Sequence, residues 1–149
     1  EADGWTRLLD EMETIAASIE GDGWETLTVP AGEAAAVSAA EGYTDRHGFT
    51  YVIPSDAAET FADWFEPGGF ERTEVYRATG GSAAFVLTVL RDRTTTRAVL
   101  IAGVLDRAAL AELGPTAREA GAMFSHLFRV DGTHLGSVRH EDPEPFFAE

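Results

Sequence analysis

The chain has 149 residues and a formal net charge of −15, with 26 acidic side chains against 11 basic ones, and Cys is absent. Every fixed cation is Arg, and Lys, Asn and Gln are missing as well. That composition excludes disulfides, thiolate metal sites, Schiff-base lysines and Walker-type phosphate loops, and it makes nucleic acid a poor partner because the few cations are scattered among acids.

Trp5, Leu8, Leu9, Met12, Ile15, Ala16 and Ile19 recur at helical spacing with acids opposite, which predicts an amphipathic helix over residues 4–20. Gly21-Asp22-Gly23 ends it. Trp24–Val29 alternates apolar and polar, a strand stopped by Pro30. Residues 31–48 are small and Gly/Ala-rich, with a short helix expected across Glu33–Ala40 and a loop after it. Phe49–Ile53 reads as a strand ended by Pro54. Asp56 and Glu59 have the spacing of a capping box, opening a helix that carries Phe61, Trp64 and Phe65 and stops at Pro67-Gly68-Gly69.

Phe70–Ala78 is charged on both faces and suits a sheet edge. Gly80-Gly81 makes a hairpin into Ala83–Leu90, and the turn at Arg91–Thr96 leads to Ala98–Leu105. These two runs are almost wholly apolar, so they need cover on both faces, from helices or from a partner. Asp106 caps a final helical region, restarted at Gly114-Pro115, with Ala117, Ala120, Met123, Phe124, Leu127 and Phe128 as its buried stripe. Thr133–Arg139 is a last short strand, and the tail Glu141–Glu149 docks through Phe146 and Phe147 without forming an element. The expected fold is a single α+β domain over residues 1–149, in the order α-β-β-α-β-β-β-α-β. Its sheet is largely antiparallel, of five or six strands, with two to three packed helices.

Candidate chemistry is sparse. Trp64, Arg72, Tyr76 and Arg77 lie about the Pro67-Gly68-Gly69 corner and the edge strand, where they suit a small planar ligand or a peptide. The competing reading puts the aromatics in the core. His134 and His140 share a strand parity, and with His126 they offer a divalent metal site. Against it, His126 reads as a cation at a helix C-terminus and His140 as part of a surface ion network. Adjacent Ser125 and His126 on a helix cannot pair, and no GxSxG elbow is present. Acids are so abundant that paired carboxylates carry no signal.

No apolar run approaches the ~20 residues of a membrane span. The acidic start Glu1-Ala2-Asp3-Gly4 is unlike a secretory leader, and no cofactor is implied. An acidic surface stays soluble at molar salt, where charges scarcely repel, so the expected setting is the cytoplasm of a salt-accumulating cell.

Gly23-Trp24-Glu25, Tyr51–Pro54 and Asp131–Phe147 resemble a family of small, uncharacterised haloarchaeal proteins over most of the chain. That resemblance implies no activity, cofactor or site residue. The element order through residue 128 is similar to that of roadblock/longin or profilin-like domains, which are dimerising and ligand-binding modules; it bears on fold alone. The expectation is a non-catalytic domain that binds a protein or a small ligand and self-associates. The alternative is a small metal-dependent hydrolase using His126, His134 and His140.

Overall fold

A computed structural model describes residues 2–37 and 47–147. The first helix, α1 (Ala2–Gly21), forms as its periodicity predicts. Leu8, Met12, Ala16 and Ile19 are its buried stripe, and each large side chain there contributes about 1.5–3 kcal/mol by leaving water. The strand after it, β1 (Glu25–Val37), does not stop at Pro30. Its register with β5 shifts between Pro30 and Gly32, and that bulge absorbs the proline and lets the strand run on. The helix expected from Glu33 is therefore strand through Val37, and residues 38–46 lie outside the described part of the chain. Ala runs carry helix propensity, but here sheet pairing overrides it.

β2 (Gly48–Val52) precedes α2 (Ser55–Trp64). Pro54 is the N-cap of α2, without a side-chain cap, and Asp56 sits inside the first turn, where its carboxylate accepts from the Ala57 N–H. The expected capping box is thus replaced by a proline entry. β3 (Arg72–Gly80), β4 (Ala83–Asp92) and β5 (Arg97–Asp106) form the expected antiparallel meander. Asp106 does cap α3 (Arg107–Ala120), accepting from the Ala109 N–H at 3.0 Å, and α3 runs through Pro115 without a break.

The largest correction follows Ala120. Gly121 takes a left-handed conformation (φ 74°) that closes α3, and Met123–Phe128 is a strand, β6. The stripe Met123, Phe124, Leu127, Phe128 fits helix and strand alike over so few residues. β7 (His134–His140) pairs with β6, and the tail forms a one-turn helix, α4 (Glu144–Phe147), with Phe146 and Phe147 buried.

One seven-stranded sheet results, in the order β3-β4-β5-β1-β2-β6-β7. It is mixed, not largely antiparallel, because β1 runs parallel to β5 and β2 parallel to β6. β1 links the two halves: its first part pairs with β5 and its last four residues with β2. The sheet curls until its edges meet, Thr73 of β3 lying 2.8 Å from His140 of β7. Side chains alternate between two cores. Ala84, Val86, Leu90, Val99, Ile101 and Leu105 face the concave side, closed by Phe61 of α2, Leu110 and Leu113 of α3, and Phe146. Phe85, Leu87, Val89, Ala98, Leu100 and Ala102 face α1 on the convex side. The two apolar strands therefore find both covers within one chain, which meets the need that had suggested a second copy. Among the described residues no helix is long and apolar enough to cross a membrane.

Candidate functional site

Three places hold polar groups that the fold does not obviously need. The first lies inside the curl. Ser125, on the concave face of β6, places its hydroxyl 2.8 Å from His140 Nε2, and the other ring nitrogen of His140 lies 2.8 Å from the Thr73 hydroxyl. A neutral imidazole has one donor and one acceptor, so one hydroxyl donates to the ring while the other accepts from it. Burial holds the His140 pKa down at about 3, helped by repulsion from His126, so the ring is neutral at pH 7. The phenol of Tyr51 points toward Thr88 and Ser125; burial pushes it up to about 12, and the two neighbouring hydroxyls only partly offset that. None of these approaches closes to a hydrogen bond, and Tyr51 Oη and Thr88 Oγ1 are buried without a partner. Gly103 makes room for that phenol, since a Cβ there would lie 2.9 Å from the Tyr51 ring. Ser125 with His140 looks like the start of a nucleophile dyad. However, Ser125 is 0% exposed and His140 2%, so no substrate reaches the hydroxyl.

The second place is the opposite face of the same two strands. His126 Nδ1 lies 2.6 Å from the Ser137 hydroxyl, which is also 2.8 Å from His134 Nε2. Ser125 and His126 remain unable to pair with each other, because successive strand residues point to opposite faces. The same parity rule would place His134 with His140, but the register shifts between Leu127 and Phe128, so Phe128 pairs with His134 and Leu135 is the extra residue. One bulge residue flips the parity of all that follows. His134 therefore packs by Phe128 on the convex face (ring centroids 5.1 Å apart), while His140 lies against Phe146 on the concave one. The structure brings together two of the three candidate metal ligands, His126 and His134, and puts the third across the sheet. Among the described residues no group of three or more His, Asp or Glu side chains is placed to hold a metal ion. His126 is not a helix-end cation either, because it sits on a strand.

The proposed ligand residues are dispersed. Trp64 packs against the concave core with the Arg97 guanidinium 5.0 Å above its ring. Arg72 opens β3, opposite Arg91. Tyr76, 39% exposed, lines a hollow of about 340 Å³ against α1 that also contains Arg7, Glu11 and Arg77. The Phe65 and Phe70 rings stack on Phe61, so they belong to the core, as their competing reading had it.

Arg77 also lines the third place, a cleft of about 270 Å³ between β3, α3 and α4. It is lined by Arg77, Arg107 and Arg118 together with Leu110, Ala111, Gly114 and Phe147. Positions 107, 111, 114 and 118 follow i, i+4, i+7, i+11 spacing, so they form one face of α3 with a cation at each end and small residues between. A Cβ at Gly114 would lie in ordinary contact with an Arg118 nitrogen (3.4 Å) and the Phe147 ring (3.5 Å), which places both side chains over this part of α3. Arg118 donates through Nε to Glu144 at 2.7 and 3.3 Å and lies 5.7 Å from the Phe147 ring centre, and Arg107 donates to the Gly81 carbonyl at 3.3 Å. Arg107 and Arg118 had gone unremarked in the sequence. Their 11-residue separation on one helix face was the available signal.

Comparison with known proteins adds a family and no activity. The chain matches DUF7529, a family of unknown function, over residues 1–148. No curated protein and no solved structure matches it.

Proposed function

For a chain that belongs to DUF7529, a family of unknown function, we propose a reading taken from its own geometry: a non-catalytic domain that binds a small molecule in the cleft between β3, α3 and α4. The observation that carries it is the pairing of access with convergence. Three arginines from two elements line the same cleft as Leu110, Ala111, Gly114 and Phe147, and a few polar groups among apolar lining are the usual make-up of a ligand pocket. The Ser125–His140 pair, by contrast, is sealed. The acidic surface supports a salt-adapted cytoplasmic setting, where the cleft's short-range contacts outlast long-range attraction. If the chain also self-associates, the exposed part of β3 offers a meeting edge, whereas the central strands are already covered.

A fragment screen followed by amide NMR in molar KCl tests this. The expected result is that some fragments shift the signals of Leu110, Ala111, Gly114 and Phe147 together. Fragments that bind only elsewhere, or none at all from a broad set, would remove the reading.

A further inference from the structure

We propose that the outer edge of β7 docks an extended segment of a partner protein, which adds there as a short extra strand. The site is separate from the arginine cleft and stands or falls without it. Its geometry follows from the way β6 is bonded. Phe124 donates its N–H to the His47 carbonyl and Phe128 accepts from the Ile53 N–H, so the main-chain groups of Phe124, His126 and Phe128 point toward β2. Those of Ser125 and Leu127 therefore point toward β7, where Val138 and Gly136 face them. Ser137 and Arg139 must then turn their N–H and C=O groups outward, away from β6. β7 ends the sheet, and no described residue hydrogen-bonds to the main chain of either one.

This edge opens into a hollow of about 580 Å³. Its lining includes Ser137, Val138 and Arg139, together with Pro67, Phe70 and Glu71 from the segment that leads into β3. The two edges of the curl meet at Thr73 and His140 through side chains, without a ladder, and here they part. At the other end the Phe65 ring covers Gly136, where a Cβ would lie 2.8 Å from it. The open stretch, Ser137–Arg139, is about 10 Å long at ~3.3 Å per residue.

A row of alternating donors and acceptors recognises another extended main chain, and the side chains beside it set the preference. A residue opposite Val138 shares its face of the sheet, where Val138 and Phe70 belong to the concave core, so it must be small and apolar. Residues opposite Ser137 and Arg139 share the other face with the Ser137 hydroxyl and the exposed Arg139, which suits polar side chains. Charge does not select the partner, because Arg139 is already paired with Glu141 and Glu71 with Arg93.

The test uses acetyl-Thr-Val-Thr-amide at millimolar concentration on the full chain in molar KCl, read by amide hydrogen exchange. In the free chain the Ser137 and Arg139 amides should exchange fast, while those of Gly136 and Val138, bonded to β6, exchange slowly. The peptide should slow Ser137 and Arg139 several-fold and leave the other two as they were. The same peptide N-methylated at all three residues, and acetyl-Thr-Trp-Thr-amide, should not. Arg139→Pro removes one outward N–H without touching the β6 ladder and should weaken binding up to about tenfold. Arg139→Ala keeps that N–H and should bind as the wild type does. Should Arg139→Pro fail to fold, the comparison of peptides on the wild type still decides.

Equal binding of the N-methylated peptide would overturn main-chain recognition, and equal binding of the Trp peptide would overturn the small apolar middle position. Absence of slowing with acetyl-Thr-Val-Thr-amide would remove the docking site. Ser137 and Arg139 amides that are slow in the free chain would overturn the open edge. If that slowness grows with protein concentration, a second copy and not a partner protein fills it.

Discussion

The β6–β7 edge and the arginine cleft divide between them what an active site must combine. At the edge, Ser125, His140 and Thr73 form a chain of hydrogen bonds with the geometry of a reactive pair, and the fold seals it. In the cleft, Arg107, Arg118 and Ala111 are exposed beside buried apolar lining, and the described residues that line it include no nucleophile or imidazole. Position inside the curl makes the first a packing device, because a buried polar group without partners costs more than a satisfied one contributes. Position at the rim suits the second to the binding role proposed for it. Residue types alone would have suggested the reverse, with histidines as the chemistry and arginines as solubilising charge.

The sharpest way to break this comparison is acid. The folded pKa of His140 is held below its ordinary value of 6.5, so the unfolded chain takes up the proton first. Stability tied to the neutral ring is full above about pH 6.5 and is lost as pH falls toward 3, on the order of 5 kcal/mol at most. Denaturant unfolding across that window should show the loss, and His140→Leu should flatten it while lowering stability at pH 7. An unchanged slope in the variant would assign the acid sensitivity to carboxylates and leave His140 without its packing role.

How far the sequence reached depended on whether a feature was local. α1, the β3–β4–β5 meander and the Asp106 cap rest on contiguous periodicity or a tight turn, and these were legible. β6 was not, because Met123–Phe128 satisfies both periods and only its parallel partner β2 decides. The two parallel pairings were equally hidden, since β1 meets β5 across some seventy residues of chain. The metal reading failed to converge through one bulge at Leu135, which no single-sequence pattern announces. Of the ligand set Trp64, Arg72, Tyr76, Arg77, the structure keeps Tyr76 and Arg77 together in the hollow against α1, and only Arg77 also lines the arginine cleft, whose helix could not be assigned to it from order alone.

A smaller effect is expected from Ser125→Ala. It leaves one His140 nitrogen buried without a partner, at about 1–3 kcal/mol. Chemical denaturation measures that loss, and the affinity of a cleft-binding fragment, read from the Leu110 and Gly114 amides, should not move. A drop in affinity would mean the two regions are coupled and the division drawn here is false. Conversely, any esterase activity in the wild type that disappears with Ser125 would show that the seal opens.

His134→Ala should change least and discriminate best. The side chain is exposed, so its removal should cost about 0.5 kcal/mol or less, the usual range for surface positions. What it should alter is local: Ser137 loses one of its two imidazole neighbours, so the ring resonances of His126 should shift while those of His140 stay in place. That asymmetry follows from the bulge, which sets His134 beside His126 and across the sheet from His140. Were the strand regular, His134 would share a face with His140, and the pattern would invert. A shift at His140 with none at His126 would therefore reject the register of β7, and with it the argument that keeps the three histidines from meeting at one metal ion.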